Sequence, residues 1–210
     1  MKIIGLISGK GGVGKTSSAV NLAAGLNFFG KDVVIVDGNV TTPNVGLHFG
    51  SPVVPVSLHH VLKGEKKITE AIYRHPSGVS FIPGGLSIND LEGLKLHKLK
   101  QIQKLNCDYV LLDGAAGLGS EALNIMKHSE ELFVVTNAEI PAITDALKAV
   151  KVAEHLNKHV SGIILTRTKE DDLDVSVRNV EAMIERPVVA VIPEDDTLRE
   201  ALCLKDAVVH

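Results

Sequence analysis

Residues 9 to 16 read GKGGVGKT, which satisfies GxxxxGK[ST], with an apolar run before it (KIIGLIS, 2–8) and a helix-forming segment after it (SSAVNLAAGLNFF, from Ser17). Gly9, Gly11, Gly12 and Gly14 let the backbone curl so that successive N–H groups point inward, and the helix N-terminus adds positive potential where phosphates sit. Lys15 is placed to meet β- and γ-phosphates, and the Thr16 hydroxyl to ligate Mg²⁺. The expected nucleotide-binding set at this end is therefore Gly9, Lys10, Gly11, Gly12, Val13, Gly14, Lys15, Thr16 and Ser17. A glycine-rich turn that binds nothing is the competing reading, and the agreement of strand, loop and helix speaks against it.

Outward from this loop, short apolar runs recur at 32–36 (DVVIV), 79–82 (VSFI), 108–112 (DYVLL), 131–136 (ELFVVT), 160–165 (VSGIIL) and 187–192 (PVVAVI) and read as buried parallel strands. Helical stretches lie between them. The clearest is 140–157, where Ile143, Ala146, Leu147, Val150 and Ala153 repeat at three and four residues. This alternation predicts an α/β fold, a doubly wound and mostly parallel sheet with helices on both faces, whose functional residues follow its strands. The weakly patterned region 38–78, carrying Pro43, Pro52, Pro55 and Pro76, reads as a switch loop followed by short helices.

Two further strand ends bear on chemistry. DYVLLDGAAGLG closes a strand on Asp113 with Gly117 four residues on, the pattern of a carboxylate that holds a magnesium shell and a glycine that senses the γ-phosphate. An aspartate ending a strand is otherwise a common turn former. VIVDGNVTTPNVGLHFG closes a strand on Asp37 and opens a polar loop suited to a switch, with an ordinary turn as the alternative.

The extra lysine in KGGVGKT, Lys10, resembles the deviant phosphate loop of the MinD/ParA family of ATPases. The likeness runs nearly end to end, through DGAAGLGSEAL (113–123), VVTNAEIPAITDALKAVKVAE (134–154) and VIPEDDTLREAL (191–202), and is greatest to archaeal cell-division-type members. The resemblance implies an ATP-dependent homodimer in which Lys10 reaches the partner's phosphates while Lys15 and Thr16 serve their own site. A solvated surface lysine is the plainer reading of Lys10. It further implies that Asp113 and Asp37 support the magnesium, that ATP or ADP lays its adenine between Thr166–Arg167 and Pro193–Glu194–Asp195, and that a regulatory protein is a partner.

The sequence departs from the family in three places. Thr166 stands where asparagine is common, which weakens the expectation for adenine. The switch reads Asp37-Gly38-Asn39 where the family has Asp-x-Asp, and an amide accepts a hydrogen bond from water but cannot take its proton. General-base help is worth about 10²- to 10⁴-fold, so slow hydrolysis is expected, and a non-hydrolysing ATP-binding scaffold is the alternative. The chain ends at His210 without the family's usual last helix and membrane-seeking tail, and 197–205 is expected to pack on the sheet through Leu198, Ala201 and Leu202.

The 210 residues fit one domain, 1–210, with 45% hydrophobic and 22% charged residues, close to globular averages. A net charge of −3 gives no global positive field, so no nucleic-acid or membrane binding is expected. The start leaves no room for a signal peptide, and the expected location is the cytoplasm. Cys107 and Cys203 lack metal or redox spacing, against the relatives of this loop that carry iron–sulfur clusters or reduce substrates through paired cysteines. The adjacent His59 and His60 have no ligand company, and EDDLD at 170–174 reads as a solvated helix start.

Overall fold

The computed structural model describes residues 1–169 and 174–208. Eight strands form one sheet: β1 (Lys2–Ser8), β2 (Val33–Asp37), β3 (Tyr73–Arg74), β4 (Ser80–Ile82), β5 (Tyr109–Ala116), β6 (Glu131–Asn137), β7 (Val160–Thr168) and β8 (Val188–Pro193). Their order is β3-β4-β2-β5-β1-β6-β7-β8, parallel throughout except for β3 against β4. Seven helices accompany them: α1 (Lys15–Phe28), α2 (Val45–His48), α3 (Leu58–Lys63), α4 (Ser120–His128), α5 (Ile140–His155), α6 (Val177–Ile184) and α7 (Thr197–Leu204). Short 3-10 turns lie at Ile68–Ala71, Ile88–Leu91 and Leu96–Lys104.

The strand pleat sends successive side chains to opposite faces, and the two cores divide accordingly. Ile3, Ile7, Val34, Val36, Val110 and Leu112 pack under α3, α4, α5 and α6, while Ile4, Leu6, Val33, Ile35 and Leu111 pack under α1 and α2. This is the doubly wound, two-faced architecture that the alternating pattern predicts. Its order reverses at β1, which lies between β5 and β6. Chain direction is reversed nowhere among these central strands, so the loops after β1, β2 and β5 emerge together beside that point, where open α/β sheets bind ligands.

Three expectations are corrected in detail. The buried stripe of α5 is Ala142, Ile143, Ala146, Ala149, Val150 and Ala153, with Leu147 only half-buried, because small alanines allow the helix close to the sheet. Strand β8 is not buried on both faces but alternates half-buried and exposed residues, Val189 and Val191 facing out, because it forms the sheet edge. Helix α7 buries none of its residues and leaves Leu202 exposed, so its apolar side does not pack on the sheet. The acidic run at 170–174 lies outside the described residues apart from Asp174. The helix after it begins only at Val177, with the Ser176 hydroxyl accepting from the Asn179 N–H at 3.4 Å.

Candidate functional site

The glycine loop is shaped by two kinds of constraint. At Gly9 a Cβ would stand 2.2 Å from the Asp145 carbonyl oxygen of α5, so the loop leaves β1 pressed against that helix and only glycine fits. Gly14 has φ 80°, a left-handed conformation that turns the chain into α1. Helix α1 has no side-chain cap and no acidic residue in its first turn. Its leading N–H groups are therefore left to face an anion. Ser8, buried at the end of β1, has a hydroxyl with no hydrogen-bond partner among the described residues. It lines a cleft of about 280 Å³ together with Gly11 to Ser17 and with Asn39, Thr42, Asn44, His48 and Ala116.

At the foot of the cleft, Lys15 Nζ lies 3.0 Å from Asp113 Oδ1, and the Thr16 hydroxyl donates to Asp113 Oδ2 at 2.6 Å. Lys15 is 8% exposed and Asp113 fully buried. Sheet register sets Asp37 directly beside Asp113, on β2 and β5. Two buried carboxylates and one ammonium leave excess negative charge. Burial first, and the Asp113 charge second, push the Asp37 carboxyl up to about 8, against backbone N–H groups that hold it down. Mg²⁺ is a hard cation that takes oxygen ligands, and the Thr16 hydroxyl with the Asp113 and Asp37 carboxylates is a donor set that fits it. The geometry adds a second task to Asp37, whose Oδ2 accepts the N–H groups of Asn44 at 2.8 Å and Val45 at 2.9 Å. The loop after β2 is thus wound around this carboxylate.

Asn39 lines the cleft with its side chain folded onto Thr42. Its Nδ2 donates to the Thr42 carbonyl at 2.7 Å and lies 3.0 Å from the Thr42 hydroxyl, while its Oδ1 accepts the Thr42 N–H at 3.3 Å. Next along, Thr41 gives its hydroxyl and its N–H to Glu121 of α4, joining the loop after β2 to the segment after β5 that carries Gly117. Gly117 has φ 81°, and its N–H donates to the Ser8 carbonyl at 2.9 Å.

A second, larger cavity of about 660 Å³ adjoins the loop and shares Gly12, Gly14 and Ser17 with the cleft. It contains every residue expected around a base, Thr166, Arg167, Pro193, Glu194 and Asp195, with Leu22, Ile164, Ala190, Ile192 and Leu198 as apolar walls. Thr166 lines the cavity, but its hydroxyl is committed to the backbone rather than left for a base. It is 3% exposed and its hydroxyl donates to the Val13 carbonyl at 2.6 Å, tying β7 to the glycine loop. Arg167, at φ 55°, reaches over the cavity to Glu194, 2.9 Å from Nη2, and toward the Gly12 carbonyl at 3.4 Å. Asp195 accepts the N–H and hydroxyl of Thr197, both at 2.8 Å, and so starts α7.

Lys10 stands outside both hollows. It is 45% exposed, with Glu139 at 3.4 Å. Cys107 precedes β5 at the opposite end of the sheet, where burial pushes its thiol up to about 11, and Cys203 is exposed on α7. Sequence reasoning overlooked Ser8, Thr42, Asn44 and His48 in the cleft. It also overlooked the cavity walls Ile164, Ala190 and Ile192, although Ile164 stands two residues before Thr166 on the same strand face and Ile192 directly precedes Pro193.

A parallel sheet reversing at β1, with a glycine loop running into an uncapped helix and a buried lysine, threonine and aspartate gathered beneath it, defines the P-loop class of nucleoside triphosphatase folds. The profile of the CobQ/CobB/MinD/ParA nucleotide binding domain matches residues 4–208, and the chain belongs to that family. It is 38% identical over 201 residues to an uncharacterised ATP-binding protein of Methanocaldococcus jannaschii, spanning 94% of this chain and 76% of that protein. Among solved structures, the septum site-determining protein MinD of Pyrococcus horikoshii, complexed with Mg-ADP, has a TM-score of 0.93 at 34% identity, covering 99% of this chain and 87% of that one. The cell division ATPase MinD of Pyrococcus furiosus has a TM-score of 0.93 at 35% identity, covering 99% and 90%. Among the described residues no helix is long and apolar enough to cross a membrane.

Proposed function

We propose that this chain is an ATP-dependent positional switch: it binds ATP with Mg²⁺, pairs with a second copy in that state, engages a regulatory protein through the paired form, and lets go after slow hydrolysis to ADP. The observation that carries the reading is the Lys15–Asp113–Thr16 cluster beneath the uncapped start of α1, in a cleft adjoining an apolar cavity with ample room for a base. Family membership and the named ATP-binding and Mg-ADP-bound relatives support it. The role in cell division rests on the relatives' names alone.

In this reading the N–H groups of the glycine loop hold the phosphates, and Lys15 turns from Asp113 to the β- and γ-oxygens. Thr16, Asp113 and Asp37 would hold Mg²⁺, which would supply charge neutralisation on the phosphates. Thr166 keeps Val13 in place, while Ile164, Ala190 and Ile192 enclose the base. Asn39 orients the attacking water through its carbonyl oxygen without accepting the proton. A second reading, an ATP-binding scaffold that does not hydrolyse, is favoured by the engagement of Asn39 with Thr42, which occupies the very group that would meet the water. Phosphate release by purified protein over hours separates the two.

The test of the shared premise is Lys15→Ala. Charge-assisted hydrogen bonds are worth about 1.5–3 kcal/mol each, so losing contacts to two phosphates weakens ATP binding by roughly a hundredfold or more. Calorimetry giving near-normal ATP affinity for a folded Lys15→Ala protein would sink the assignment.

A further inference from the structure

His59, on α3, is fully buried, yet neither of its nitrogens is spent on packing. The Gly85 N–H donates to Nδ1 at 2.7 Å. An amide N–H can only donate, so Nδ1 carries no proton and the ring hydrogen resides on Nε2. Nε2 lies 2.9 Å from the carbonyl oxygen of Val40, which can only accept. One neutral imidazole therefore joins the segment leaving β4 to the loop leaving β2, and the tautomer follows from its two partners. Burial holds the imidazole below the usual histidine range, against the Val40 carbonyl and the Asp90 charge, which keeps the ring in the neutral form this bridge needs.

The same junction is braced twice more. A Cβ on Gly84 would come 2.4 Å from Cβ of Pro43, so the chain leaving β4 lies directly on the loop. The Leu58 N–H at the start of α3 donates to the Pro83 carbonyl at 2.8 Å, fixing the helix to that exit. Val40 adjoins Asn39, which faces the phosphate cleft. A phenylalanine or leucine would fill the volume of His59. Only a side chain with one acceptor and one donor at this separation joins Gly85 to Val40.

From this geometry we infer that His59 is a positioning residue for the nucleotide-sensing loop: it lines neither the cleft nor the cavity, and it sets where Asn39 stands by holding Val40 from α3 and the β4 exit. The inference rests on the proposed nucleotide switch for its consequence but not for its mechanical part.

The experiment compares the whole chain with His59→Phe, which keeps bulk and removes both hydrogen bonds, and His59→Gln, whose amide offers an acceptor and a donor. Amide hydrogen exchange over 38–45 is measured without nucleotide and with ATP and Mg²⁺, beside ATP affinity by calorimetry and steady-state phosphate release. His59→Phe is expected to speed exchange in 38–45 while the amides of β1 and β5 keep wild-type protection, and to slow phosphate release about tenfold by misplacing Asn39. ATP affinity stays within about threefold, since Lys15 and the glycine loop are untouched. His59→Gln recovers both properties at least in half. Unchanged exchange in 38–45 for His59→Phe overturns the inference. So does loss of protection spread equally over β1 and β5 with no recovery in His59→Gln, which would make His59 an ordinary core residue. A wild-type chain that binds no ATP overturns the proposed function instead, and exchange without nucleotide still decides the role of His59.

Discussion

Asn39 is the residue where family pattern and chemistry part company, and its surroundings sharpen the consequence. The amide both gives and receives hydrogen bonds with Thr42, a reciprocal closure that a carboxylate cannot make because it has no donor. Asn39→Asp therefore changes two things together, returning a charged acceptor and releasing the side chain from the Thr42 carbonyl. Single-turnover ATP hydrolysis is expected to accelerate roughly tenfold or more, with ATP affinity little altered, as restored general-base assistance would give. If neither Asn39→Asp nor Asn39→Ala changes the rate, Asn39 does not position the water. The absence of an aspartate at 39 was legible in the sequence; the Thr42 closure was not, because it depends on the path of a loop that no periodicity describes.

The loop between β2 and α2 derives its shape from the strand that precedes it. Asp37 receives the N–H groups of Asn44 and Val45, so ionisation of this carboxyl and conformation of the loop are linked. Its pKa rises on folding from 3.8 to about 8. The folded chain therefore holds a proton that the unfolded chain has released, and this group's contribution to stability is complete below pH about 3.8 and is lost as pH rises toward about 8. Urea unfolding of the chain without nucleotide or metal should lose stability between pH about 6 and 8, with a limiting slope of about 1.4 kcal/mol per pH unit, and Asp37→Asn should flatten that slope whatever its effect on overall stability. Equal slopes for the two proteins would mean that Asp37 is already ionised. At this scale most elements could be read in advance, since β1, β2, β5 and β6 are continuous apolar runs closed on both faces. Strand β3, two residues long, and the exposed face of β8 could not, because an edge position is settled by neighbours far along the chain.

At the scale of the whole molecule the question is what a second copy would change. The cleft opens at the end of the sheet where Lys10 also stands, and Lys10 is neither buried nor committed to its own cleft. Its bond to Glu139 joins two half-exposed groups, and such surface pairs contribute only about 0–1 kcal/mol, so Lys10 can leave Glu139 for a stronger anion at little cost. A γ-phosphate presented by a paired subunit is such an anion, whereas ADP offers none beyond the reach of Lys15. Lys10→Ala is accordingly expected to bind ADP as a monomer with affinity within about twofold of wild type, since it removes no contact made inside one subunit. The same variant should fail to dimerise with ATP and Mg²⁺ at concentrations where the wild type does so. Sedimentation equilibrium with each nucleotide reads both halves of this expectation. Normal ATP-dependent dimerisation of Lys10→Ala would leave Lys10 as a surface lysine paired with Glu139, and weakened ADP binding by the monomer would instead place its charge in its own subunit's site.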